Sequence, residues 1–143
     1  MRFMLLMIPK GYEKAGQQAV PSAEAVDAMM KYNESLRRAG VLLALDGLHP
    51  PSAGTRVIFS GGKHMVTDGP FIETREAIGG FWIIEVPSKA KAVEWATRCP
   101  GDDCTIEVRQ IFEMTEFPSD VQKVAAKYPE LRQLAAQRKD ARG

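Results

Sequence analysis

Two helical stretches, each bracketed by apolar runs of strand length, constrain this chain more than any other feature. The first apolar run spans residues 2–8 and reads as a strand. A polar, glycine-containing loop over Gly11–Gln18 follows, and Pro21-Ser22 then opens a helix. Ser22 suits the N-cap, and Glu24 in the first turn favours the positive end of the helix. Val26, Met29, Met30, Leu36 and Ala39 recur at helical spacing, with Asp27, Lys31, Glu34 and Arg38 on the other face. Glu34 and Arg38 form an i, i+4 pair in the favourable order. Gly40 is expected to close the helix as a left-handed residue.

Val41 restarts the apolar pattern as a second strand to about Leu48, where His49-Pro50-Pro51 stops it, since proline donates no ladder bond. Thr55–Ser60 and Lys63–Thr67 are short runs joined by Gly61-Gly62, a hairpin signal. Asp68-Gly69-Pro70 reads as a turn, and Gly80–Val86 as another apolar strand. Pro87-Ser88 caps a second helix, Lys89–Arg98, with Ala92, Trp95, Ala96 and Cys99 as its stripe. Cys104–Phe112 is the last strand, placing Ile106, Val108 and Phe112 on one side and Glu107 and Arg109 on the other. From Pro118 an amphipathic helical tail follows, interrupted at Pro129 and continued by Leu131, Leu134 and Ala135; the end, residues 137–143, is polar and expected to fray.

This order predicts an α+β chain on a ferredoxin-like βαββαβ plan with an inserted β-hairpin and a C-terminal helical tail. With 143 residues, 45% of them hydrophobic, there is enough material for one core, and no repeat or linker divides it. Residues 1–117 are read as the domain and 118–143 as a helical extension of it. A sheet with helices on one face leaves the other apolar, so a second copy is expected to cover it in a homodimer. A net charge of +1 provides no concentrated basic face, which argues against nucleic acid. The apolar start is too short to span a membrane and lacks a small-residue cleavage site, so the expected location is cytoplasmic, with no membrane partner. Cys99 and Cys104 flank a turn-like stretch and read as ordinary reduced thiols.

The segment Asp68-Gly69-Pro70-Phe71-Ile72-Glu73-Thr74-Arg75-Glu76, followed by Gly79-Gly80, resembles the D-G-P-F-x-E-T-K-E…G-G signature of DGPF (YCII-related) proteins. Arg75 stands where that pattern usually has lysine. Phe3–Leu6 and Ile106–Arg109 resemble the first and last strands of the family, though Gln110 replaces a proline common among relatives. The resemblance implies a dimeric ferredoxin-like α/β barrel with a pocket that holds a histidine and an aspartate. By position these would be His49 and Asp68. It also implies a setting beside sigma factors in bacterial genomes.

Imidazole ordinarily titrates at about 6.5, so His49 suits general acid/base work at neutral pH. Asp68 would orient the ring and favour its protonated form. The competing explanation is that both residues merely fix turns. Pro70 and Phe71 would wall a small-molecule pocket, and Phe71 equally suits a core anchor. Glu107 and Arg109 would form either a polar wall, with Arg109 holding a substrate carboxylate, or a plain salt bridge. His64, Glu73 and Glu76 read as solvent-facing. There is no P-loop, no strand-anchored G-x-G-x-x-G and no G-x-S-x-G elbow, and Ser52 lies in a flexible-looking stretch. No cofactor or metal is therefore expected. The methionines read as gap-fillers.

Two functions follow. One is a cofactor-free enzyme, a hydrolase, lyase or isomerase, using His49 and Asp68 on a small metabolite. The other is a non-catalytic ligand-binding dimer that signals to a protein partner such as a sigma factor through Val121–Ala135. That tail more readily suits packing on its own domain.

Overall fold

The first apolar run forms β1 (Arg2–Pro9), whose alternation sends Phe3, Leu5 and Met7 to one face and Met4, Leu6 and Ile8 to the other. The computed structural model describes residues 1–131 and 134; Ala135 and the polar end 137–143 lie outside the described residues. Helix α1 (Ala23–Arg38) starts where Ser22 Oγ accepts the Ala25 N–H at 3.1 Å. Gly40 follows with a φ of 72°. Next come β2 (Leu42–Gly47), β3 (Thr55–Ser60), β4 (Lys63–Asp68), β5 (Gly80–Glu85), α2 (Lys89–Ala96), β6 (Cys104–Gln110) and α3 (Ser119–Ala125). Three single 3-10 turns, Tyr12–Lys14, Pro51–Ala53 and Met114–Glu116, lie between them.

The main sheet runs β2-β5-β1-β6, and every neighbouring pair is antiparallel. The two β-α-β units thus interleave in the ferredoxin-like manner. Leu5 lies opposite Trp82 on one side and Val108 on the other. Beneath this face α1 and α2 supply Tyr32, Leu36 and Ala92 to a core with Phe3, Leu5, Trp82, Ile84 and Val86. Burying a side chain such as Ile84 stabilises by roughly 1.5–3 kcal/mol. Both polar aromatic tips in this core find partners. Trp82 Nε1 donates to Asn33 Oδ1 at 2.7 Å and Tyr32 Oη to the Trp95 carbonyl at 2.8 Å. The rings themselves meet edge to face at 5.5 Å.

Tyr32 corrects the helical stripe expected from sequence. The seam that meets the sheet is Met29, Tyr32 and Leu36, while Val26 and Met30 face solvent. A tyrosine fits there because its ring packs while its hydroxyl reaches a carbonyl. The last strand also stops sooner than expected. After Gln110 the Ile111 N–H bonds the Arg2 carbonyl at 2.9 Å, and Arg2 Nε then binds Glu113 Oε1 at 2.8 Å. Phe112 is consequently exposed and packs on Phe117 rather than in the core.

β3 and β4 form a separate two-stranded ribbon. Gly61 and Gly62 have φ of 58° and 76°, the pair of left-handed residues that a tight two-residue hairpin turn demands. Val57 pairs with Val66, Ile58 with Met65 and Phe59 with His64, so both ribbon faces carry apolar groups, and all six are exposed. α3 also leaves Val121 and Val124 exposed, as are Tyr128 and Leu131 beyond it, so the described part of the tail leaves these stripe residues open. No described helix is long and apolar enough to cross a membrane.

Candidate functional site

β2 ends against a pair of glycines that opens β5. The Gly79 N–H bonds the Met7 carbonyl at 2.8 Å, and the Gly79 carbonyl accepts the Leu48 N–H at 2.9 Å. Tyr12 Oη donates to the Leu48 carbonyl. Both peptide groups of Leu48 are thereby held, which fixes the start of the His49-Pro50-Pro51 segment. Burial pushes the Tyr12 phenol above its usual range, consistent with a hydroxyl that stays protonated to donate. Pro50 is buried, and Ser52, which sequence placed in a flexible stretch, is tied down on both sides. Its Oγ donates to the Ala15 carbonyl at 2.7 Å, and its carbonyl accepts from Gln17 Nε2 at 3.0 Å.

Asp68 ends the ribbon directly above this segment. The two-residue glycine turn sets Thr55 opposite Asp68, and Thr55 Oγ1 donates to Asp68 Oδ1 at 2.8 Å. The Gly69 N–H then bonds the Gly54 carbonyl at 2.8 Å. Gly69 sits so close to the Pro51–Gly54 turn that a Cβ there would fall 1.8 Å from the Pro51 carbonyl oxygen. This contact places Asp68 and His49 on neighbouring stretches of backbone. Both side chains are exposed, and among the described residues no hydrogen bond or ion pair joins His49 to Asp68. The Gly69–Pro70 peptide is cis, and Pro70 is exposed.

Phe71 is half-buried rather than a core anchor. The Arg56 guanidinium stacks 3.9 Å from its ring centroid and donates to Thr74 Oγ1 at 2.9 Å, clamping the 71–74 turn to the ribbon base. Glu107 and Arg109 lie on the helix-free sheet face, opposite Leu6 and Met4, as a 3.9 Å ion pair. No hydrogen bond or ion pair connects them to His49 or Asp68 among the described residues. Leu6 and Ile83 are buried at the centre of that same face.

Sequence reasoning missed Tyr12, Thr55 and Arg56. The hairpin turn could have found Thr55, because a two-residue loop fixes the register. Nothing in the sequence marks Tyr12, whose role depends on where the 3-10 turn lands. Among the described residues, no group of three or more histidine, cysteine, aspartate or glutamate side chains is placed to hold a metal.

A family model described as the YCII-related domain matches residues 1–115. Uncharacterized protein R00369 of Rhizobium meliloti (strain 1021) is 38% identical over 58 residues, which make up 41% of this chain and 47% of that protein. The aligned stretch thus spans about half the length of that curated relative.

Proposed function

The chain belongs to the YCII-related domain family, and from that premise we propose that it is a small-molecule-binding member in which His49 and Asp68 perform cofactor-free general acid/base chemistry on a small metabolite. The observation that supports this reading is the backbone closure of Gly69 on Pro51 and Gly54, which packs the turn after Asp68 against the turn after His49. Thr55 occupies Oδ1 of Asp68 and leaves Oδ2 to orient an imidazole. Proton transfer by such a pair contributes roughly 10²–10⁴ in rate, which suits a hydrolase, lyase or isomerase. Pro70 and Phe71 wall the site, and Arg109 with Glu107 binds the polar part of a substrate on the helix-free sheet face. A second copy covers that face as a homodimeric barrel.

The test is a cell metabolite extract incubated separately with the protein and with its Asp68→Asn variant, then read by mass spectrometry. A compound consumed by the wild type and spared by the variant is expected. Equal consumption by both would overturn the dyad. A compound retained by both but unchanged would overturn catalysis and favour the second reading, a ligand-binding dimer that signals to a protein such as a sigma factor. The exposed Val121, Val124, Tyr128 and Leu131 support that alternative.

A further inference from the structure

A cleft of about 270 Å³ opens at the end of the main sheet where β1 leaves and β6 begins. Neither His49 nor Asp68 lines it. Its walls come from three loops: Lys10 and Glu13 beside the first 3-10 turn, Arg75 and Glu76 from the link before β5, and Asp103 and Thr105 around the start of β6. Ile8 and Pro9 supply an apolar floor.

The charges in this cleft divide into two sets. Lys10 is committed to Asp103, by a backbone bond of 3.1 Å and a side-chain pair at 3.6 Å. Arg75, Glu13 and Glu76 line the same cleft, yet none of them forms an ion pair or a side-chain hydrogen bond among the described residues. Elsewhere on this surface opposite charges within reach do join, Glu34 with Arg37 at 2.6 Å and Lys91 with Glu94 at 3.0 Å. A guanidinium and two carboxylates thus share a concave space without meeting.

Two of the three walls are held by contacts. Tyr12 anchors the first turn to Leu48. Asp103 holds a left-handed φ of 56°, and the 100–103 turn wraps the Cys104 thiol so tightly that a Cβ on Gly101 would fall 2.2 Å from Sγ. Ligand pockets usually run from about 300 to 1,000 Å³, so this one suits a molecule smaller than a typical drug.

We infer that this cleft binds a small α-amino acid as its zwitterion. The Arg75 fork takes the carboxylate in bidentate fashion. Glu13 and Glu76 take the ammonium, and the side chain lies over Ile8 and Pro9. The three unmet groups sum to one negative charge, so a basic amino acid complements them best, a neutral one less well and an acidic one worst. This site is independent of the His49–Asp68 chemistry.

Calorimetric titration of the full chain at low salt tests it with L-lysine, L-leucine, L-glutamate and L-lysine methyl ester. Saturable binding is expected in the order lysine, leucine, glutamate. The ester, which lacks the carboxylate, should bind at least tenfold more weakly than lysine, and Arg75→Gln should weaken lysine by a similar factor. In the variant, whose unmet lining is two carboxylates, the ester should bind at least as tightly as free lysine. The absence of saturable heat from both lysine and leucine would overturn the proposal, as would equal binding of lysine and its ester by the wild type. The ester comparison needs no variant, so the result stands whatever Arg75→Gln does to folding.

Discussion

β5 and the β3–β4 ribbon are both rich in large apolar side chains, yet they end in opposite surroundings. In β5, Trp82, Ile83 and Ile84 are all buried: the strand has a neighbour on each side, and helices cover the face that carries Trp82 and Ile84. In the ribbon, Phe59 is 78% exposed, and Val57, Val66, Ile58 and Met65 are exposed on both faces. Apolar content makes a strand; the number of elements packed around it decides whether that content is buried. A two-stranded ribbon is marginal on its own in water. Here it is secured at its base by Thr55–Asp68, Gly69–Gly54 and Arg56 over Phe71. The candidate site lies at that base, on the boundary between the rigid sheet and the exposed ribbon.

The sharpest way to test this contrast is truncation in each region. Ile84→Ala is expected to cost about 4 kcal/mol in urea unfolding, since its side chain is fully buried in the core. A cost under about 1 kcal/mol would show that the sheet tolerates loss as readily as the ribbon. At the boundary, Gly69→Ala should cost about 3 kcal/mol, because the new methyl meets the Pro51 backbone rather than a movable side chain. Near-wild-type stability would mean the two segments are not held together there.

On the core side, pH offers a further probe. Burial pushes the Cys99 thiol from an ordinary 9.0 up to about 11, with the neighbouring Cys104 adding to the effect. The unfolded chain therefore loses this proton first. The contribution is fully present below about pH 9 and is lost as pH rises toward about 11. Urea midpoints should fall over that window, and less steeply in Cys99→Ala; identical slopes would remove Cys99 from the account. The smallest effect belongs to the ribbon tip. Phe59→Ser is expected to change the unfolding free energy of the monomeric chain by no more than about 0.5 kcal/mol. A large loss would mean that the tip is covered in solution.

Much of the fold was legible because its signals are local. Ser22 and Ser88 cap helices, Gly61-Gly62 turns a hairpin, and Ile106 and Val108 alternate onto the core. The errors arose where a distant partner decides. Tyr32 is core because Trp82 and the Trp95 carbonyl lie across from it, and Phe112 is outside because Arg2 captures Glu113 and ends the ladder. For the candidate site, the sequence pointed to the Asp68–Phe71 turn and to His49. It gave no sign of the Gly69–Pro51 contact that links them, which depends on two loops meeting. The same holds for the Arg75 cleft, whose walls come from three separate parts of the chain.

The position of β1 in the middle of the main sheet bears on when this molecule can take shape. Arg2 pairs with Glu85, and Phe3 with Gln110, so β1 is seated between two strands that follow it by some 80 to 110 residues. During synthesis it has no ladder to join until most of the chain has emerged. The β3–β4 ribbon is a local pairing around its own glycine turn, and hairpins of this kind close on the microsecond scale. The sheet must wait for long-range pairings, which are slow because loop closure comes before any gain. The nascent chain therefore acquires its most exposed element early and its core late, leaving the apolar β1 in need of shelter in between.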